Sequence, residues 1–137
     1  PDMSRFPSAS HLASWAKICP GNNESAGKRY SGSTGSGNNW LRTALLEGAW
    51  AAARSKTYFG AHFRRIARKR GSKRAATAVA HSLLVVAFHI LRDGVTYREL
   101  GADYFDRLNT AKATKYHLRR LAELGYPIPT LPTAASE

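Results

Sequence analysis

Residues 83–91, LLVVAFHIL, constrain the fold more than any other stretch, because every side chain in them except His89 is apolar. A helix that is apolar all round needs neighbours on every side, so the run reads as the buried centre of a helical bundle. It lies inside a longer helical pattern that starts at Ser72 and ends at Asp93 and Gly94. Each large side chain in it contributes about 1.5 to 3 kcal/mol on burial. The run is shorter than the roughly 20 residues a bilayer crossing requires, which argues for a core helix and against a membrane.

The rest of the chain supplies the neighbours. Ser8 or Ser10 can cap a short helix running to about Ile18, ended by Cys19, Pro20 and Gly21. Residues 21–37 then form a loop rich in glycine and serine. Asn38 or Asn39 caps the next helix, along which Leu41, Ala44, Leu45, Gly48 and Ala52 make one apolar face. Near Lys56 the pattern breaks, and a stripe of Phe59, Phe63 and Ile66 continues to Gly71, as one bent helix or as two. After GVTYRELGADYFD a last amphipathic helix is predicted to turn Tyr116, Leu121 and Leu124 inward and to stop at Gly125. YPIPTLPTAASE reads as a fraying tail. No stretch alternates with period two. The fold class is therefore all-α: a bundle of about four helices with a long loop between the first two, as one domain over residues 1–125 and a tail over 126–137.

Charge points to the partner. Lys and Arg number 21 against 9 Asp and Glu, a net +12, which calls for a polyanion such as DNA. Between Gly48 and Arg92 there are ten basic residues and no acidic one. Charges so crowded repel unless phosphates neutralise them. Arg64, Arg65, Arg68, Lys69, Arg70, Lys73 and Arg74 of this block, with Arg42 before it, are the candidate backbone contacts. Trp40, Trp50, Tyr58 and Phe59 are interspersed and can stack on bases, although aromatic residues at helical spacing are mostly core.

Several chemistries are excluded or weak. A single cysteine, Cys19, allows no internal disulfide and reads as an apolar filler in a reducing compartment. The chain opens on Pro1 without the charged and apolar regions of a secretory signal, so the expected location is the cytoplasm. GNNESAGKR nearly spells a nucleotide-binding P-loop, but Gly21 and Gly27 are one residue too far apart and Arg29 stands where Ser or Thr would hold magnesium. Gly32, Gly35 and Gly37 match no dinucleotide fingerprint and read as freedom of the backbone. His81 and His89 are eight apart, not at ligand-pair spacing, so no metal site is expected and His89 reads as a core histidine. Asp93, Glu99, Asp103 and Asp106 read as caps and as partners of Arg92, Arg98 and Arg107. Ser25 remains, a loop hydroxyl between Glu24 and the small residues before Lys28 and Arg29.

Residues 4–50, SRFPSASHLASWAKICPGNNESAGKRYSGSTGSGNNWLRTALLEGAW, together with AVAHSLLVVAFHILRDGVTYRELGADYF over 78–105, resemble the C-terminal domain of the DEDD-type insertion-sequence transposases, the bridge-RNA-guided serine recombinases. The resemblance reaches to about Leu124. It implies that Ser25, in the SxGK-like run Ser25-Ala26-Gly27-Lys28, attacks a DNA phosphate, with Lys28 and Arg29 facing that phosphate. It further implies an amino-terminal acidic domain that supplies Mg2+, a guide RNA, homo-oligomerisation of the full protein, and a fragment that is inactive alone. Tyr30, Ser33, Gly35, Ser36 and Asn39 depart from a pattern close to KRRSGRTRKGNRWLR, and Lys17 stands where such sequences carry Gly. Lost cations weaken charge stabilisation of a phosphoryl transition state. The alternative reading is thus a non-catalytic nucleic-acid-binding remnant of a decayed transposase.

Overall fold

The structure, a computed structural model, describes residues 2–19, 23–25, 28–31 and 37–127, with the backbone alone for 23–25 and 28–31. After a 3-10 turn at Met3–Arg5 come α1 (Ala9–Trp15), α2 (Asn39–Ala53), α3 (Tyr58–Arg70), α4 (Ser72–Asp93), α5 (Tyr104–Leu108) and α6 (Thr110–Glu123). The helical class predicted from periodicity is what forms. Between α1 and α2 lie two short strands, β1 (Asn23–Ser25) and β2 (Lys28–Ser31), where the sequence reads as loop. The chain divides into two compact units, Pro1–Asp103 and Tyr104–Glu137.

In the first unit α4 is the central helix and packs on α1, α2 and α3. Its contact side is set by small residues: Ala75, Ala76, Val79 and Ala80 are at most 1% exposed, with Leu84 and Phe88 continuing the stripe. Alanines at the seam let the neighbouring helices approach closely, so Ala49 of α2, Phe59 and Phe63 of α3, and Leu12 and Ala13 of α1 join one core. The uniformly apolar run is buried on that side alone. Ile90 and Leu91 are exposed, and so is His89, whose Nδ1 lies 2.8 Å from the Asp93 carboxylate, which corrects its reading as a core residue. Over its whole length α4 is long and apolar enough to cross a membrane, by composition alone. A third of that stretch is buried, on the side that packs against α1, α2 and α3.

Caps mark the boundaries. Asn38 accepts from the Leu41 N–H at 3.0 Å and Thr57 from the Gly60 N–H at 3.3 Å, so the break near Lys56 separates two helices. The α2–α3 corner closes tightly: a side chain at Gly60 would overlap the Ser55 carbonyl and lie 2.8 Å from that of Ala52. Arg64 Nη1 fixes the corner by donating to the Ala53 and Ser55 carbonyls, each at 3.1 Å. Glu99 ties the extended segment after α4 to the start of α3. Its carboxylate accepts from the N–H groups of Tyr58 (2.6 Å) and Gly101 (2.9 Å) and from the Tyr97 hydroxyl (2.8 Å), in place of the arginine pairing expected.

In the second unit α6 has the amphipathic pattern expected, but Tyr116, Leu121 and Leu124 are 48, 43 and 59% exposed. The inward placement predicted for them is not what forms. Among the described residues of that unit the other helix is the short α5, and five residues offer too little surface to cover the stripe.

Candidate nucleic-acid interface

The order of turns brings distant cations to one end of the first unit. The corner at residues 54–57 folds α3 back along α2, with the Trp50 and Phe63 rings 5.3 Å apart, and Gly71 alone folds α4 back along α3. Helix α1 starts near the far end of α4, where Arg92 Nη1 donates to the Pro7 carbonyl at 2.9 Å, and ends beside the start of α2. There the backbones nearly touch: a side chain at Gly37 would lie 2.6 Å from the Ala16 carbonyl and 2.8 Å from the Lys17 Cβ. The end of α1, the start of α2, the end of α3 and the start of α4 therefore share one end of the bundle.

Seven basic residues belong to these termini: Lys17, Arg42, Arg68, Lys69, Arg70, Lys73 and Arg74. All but the half-buried Arg42 are exposed, and neither α2 nor α4 has an acidic residue in its first turn. Arg68, Lys69 and Arg70 complement the negative end of the α3 dipole. Lys73 and Arg74 have the opposite relation to α4, lying at its positive end, where a cation is unfavourable. Helix α4 also lacks a side-chain N-cap, since Gly71 occupies that position. Unpaired N–H groups and misplaced cations at one terminus suit an anion that satisfies both.

Lys17 carries a further local cost. With φ of 53° it occupies the left-handed region, and the Lys17 N–H bonds the Ser14 carbonyl (3.1 Å) while the Ile18 N–H bonds that of Ala13 (3.2 Å). This is the Schellman termination in which glycine is the usual occupant. Buried Ile18 provides the apolar contact that goes with it. In the sequence Lys17 stands apart from the other cations, and its contact with Gly37 brings it to the start of α2.

The segment containing Ser25 leaves the bundle at this same end, between Ile18 and Gly37. Its strands pair antiparallel with Ser25 opposite Lys28, Glu24 opposite Arg29, and Asn23 opposite Ser31 beyond an irregularity at Asn23/Glu24. Ser25 thus ends β1 and Lys28 begins β2, on either side of a two-residue link. Ala26 and Gly27 of that link lie outside the described residues, as do Gly21, Gly32, Ser33, Gly35, Ser36 and the tail from residue 128. A two-residue connection containing glycine is a hairpin signal, and it could have been read from the sequence.

Other members of the basic block lie elsewhere. Arg64 is engaged at the α2–α3 corner, and Arg54 and Lys56 belong to that corner too, at the opposite end from Arg68 and Lys73. Arg65 is exposed on α3, one turn from His62, whose pKa is lowered mainly by burial and further by the Arg65 charge. His81 lines a shallow apolar groove of about 350 Å3 with Tyr58, Val85, Tyr97 and Leu100. Among the described residues no three His, Cys, Asp or Glu side chains come together to hold a metal ion.

Residues 1–64 match the sequence model of the Transposase IS116/IS110/IS902 family. The match takes in α1, both strands, α2 and the first half of α3, just under half of the chain. Over that part the chain is similar to transposases of this family. No curated protein and no solved structure matches it.

Proposed function

We propose that this chain is the DNA-contacting, nucleophile-bearing part of a transposase. Ser25 is the nucleophile: its Oγ attacks a DNA phosphorus, an Oγ–P bond forms as a P–O bond to deoxyribose breaks, and the hydroxyl proton leaves as the departing oxygen gains one. One phosphodiester replaces another, so the exchange consumes no high-energy bond. Lys28 and Arg29 hold the reacting phosphate, while Arg42, Arg68, Lys69, Arg70, Lys73 and Arg74, joined by Lys17, hold the flanking backbone.

One observation carries the reading: the hairpin with Ser25 emerges from the end of the bundle where these cations converge. The family match over residues 1–64, which includes Ser25, is its second support. Among the described residues no group of carboxylates comes together to hold the Mg2+ that the resemblance implies, and the proposal assigns its ligands to the acidic amino-terminal domain that the resemblance also implies. The guide RNA, assembly with further copies and a cytoplasmic location are part of the same proposal.

The test combines the chain with an acidic amino-terminal domain of the family, Mg2+, guide RNA and target DNA, and looks for a covalent protein–DNA adduct on a denaturing gel. The adduct is expected with Ser25 and absent with Ser25→Ala, while DNA binding persists. An adduct that survives Ser25→Ala overturns the nucleophile assignment. Binding without any adduct would leave a nucleic-acid-binding module.

A further inference from the structure

Four aromatic residues of the basic region are candidates for base stacking, and the structure separates them. Phe59 is buried at 8% exposure, Tyr58 stacks on His62 with centroids 5.8 Å apart, and Trp50 packs on Phe63. Trp40 is 90% exposed, with no ring among the described residues against it. An indole is the largest apolar surface a side chain offers, and helix propensity does not favour it there over Ala, Glu or Lys. Trp40 is not on a loop tip. It is the second residue of α2, in a turn fixed by the Asn38 cap, and the preceding Gly37 is seated against Ala16 and Lys17. The indole is therefore presented from a capped, closely seated turn, two residues from Arg42 and at the end of the bundle to which the order of turns brings Arg68, Lys69, Arg70, Lys73 and Arg74.

We propose that Trp40 stacks on an unpaired base of single-stranded DNA whose neighbouring phosphates lie on those cations. Charge complementarity selects a polyanion, and a flat apolar face beside the cations selects a polyanion with exposed rings, which a base-paired duplex does not offer. The inference rests on the proposed DNA-contacting role of this end of the bundle. It adds a preference for unpaired DNA that the cations alone do not give, since phosphate contacts read neither sequence nor base exposure.

The test measures anisotropy of labelled oligonucleotides of one length, single-stranded and as blunt duplex, against the full chain and its Trp40→Ala and Trp40→Phe variants. Circular dichroism establishes that the variants are folded. Trp40→Ala should weaken single-strand binding by about 5- to 150-fold, the range for one stacked base, and change duplex binding less than twofold. Trp40→Phe should retain most of the affinity, and the quenching of tryptophan emission by single-stranded DNA should fall in both variants. Equal losses on both DNAs, or none on the single strand while duplex binding stays salt-dependent, would overturn the stacking role and leave the cationic surface intact. Failure of the unaltered chain to bind either DNA would overturn both.

Discussion

The two cations at the start of α4 give a prediction with opposite signs for stability and binding. In Lys73→Glu/Arg74→Glu each substitution removes a charge repelled by the helix dipole and installs one attracted by it. Each of those steps is worth about 0.3 to 1 kcal/mol at an exposed terminus. Both residues are exposed, so the low end applies, and the four steps together stabilise the fold by roughly 1 to 1.5 kcal/mol. For a cooperative unit of about 100 residues with an unfolding entropy near 2.1 cal/mol/K per residue, Tm rises by about 5 to 7 °C. Binding moves the other way. If all seven cations neutralise phosphates, log affinity falls against log salt with a slope near −6, and loss of two flattens it by about 1.8. Thermal circular dichroism and anisotropy titrations on duplex DNA from 50 to 200 mM salt, about the span over which such contacts dominate, read the two quantities on one protein. A lower Tm would refute the assignment of these residues to a repulsive helix terminus. An unchanged slope would refute their contact with phosphate.

Two further predictions concern local structure. Lys17→Gly removes a side chain from a left-handed backbone position and should raise stability by about 1 kcal/mol, read as a higher midpoint in urea, while weakening DNA binding through loss of one cation. The Tyr97 hydroxyl is pushed up to about 12, first by burial and then by its bond to the Glu99 carboxylate. Since its ordinary value is near 10, the stability Tyr97 contributes is complete below pH 10 and is lost as pH rises from 10 through 12. Alkaline unfolding followed by circular dichroism should be shallower in Tyr97→Phe. A Tyr97→Phe profile that matches the unaltered protein would remove Tyr97 from this network.

Those elements differ in how legible they were. The α4 span could be read almost to the residue, because an apolar run bounded by Gly71 and Gly94 leaves little freedom, and the Asn38 cap announced α2 in the same way. Burial within α4 was not legible. Ile90 and Leu91 are as apolar as Leu84, and whether a side chain is covered depends on where α1 and α3 begin. The same holds for Tyr116, Leu121 and Leu124, since periodicity shows that α6 has an apolar face and says nothing of what covers it. At the candidate site the residue types were evident, but their grouping was not. A run of basic residues from 54 to 92 looks continuous, yet helix reversals at 54–57 and 71 send Arg64 to a corner, and the contact of Lys17 with Gly37 brings a cation from outside the run to the start of α2. Grouping of this kind arises from the order of turns, which composition does not contain.

The near-contact of Gly37 with Ala16 and Lys17 has an evolutionary consequence. With Ile18 still buried in the core, the chain on either side of the segment with Ser25 meets at one point, Lys17 against Gly37. Loop-closure entropy grows with the logarithm of length, about 0.6 kcal/mol per doubling. The segment with Ser25 can therefore lengthen, shorten or change composition at little expense to the core beneath it. Residues by which the segment differs from the pattern it resembles, such as Tyr30, Ser33 and Ser36, can change under the demands of chemistry alone. The bundle behaves as a socket, and the inserted segment as an exchangeable tip whose drift the fold does not police.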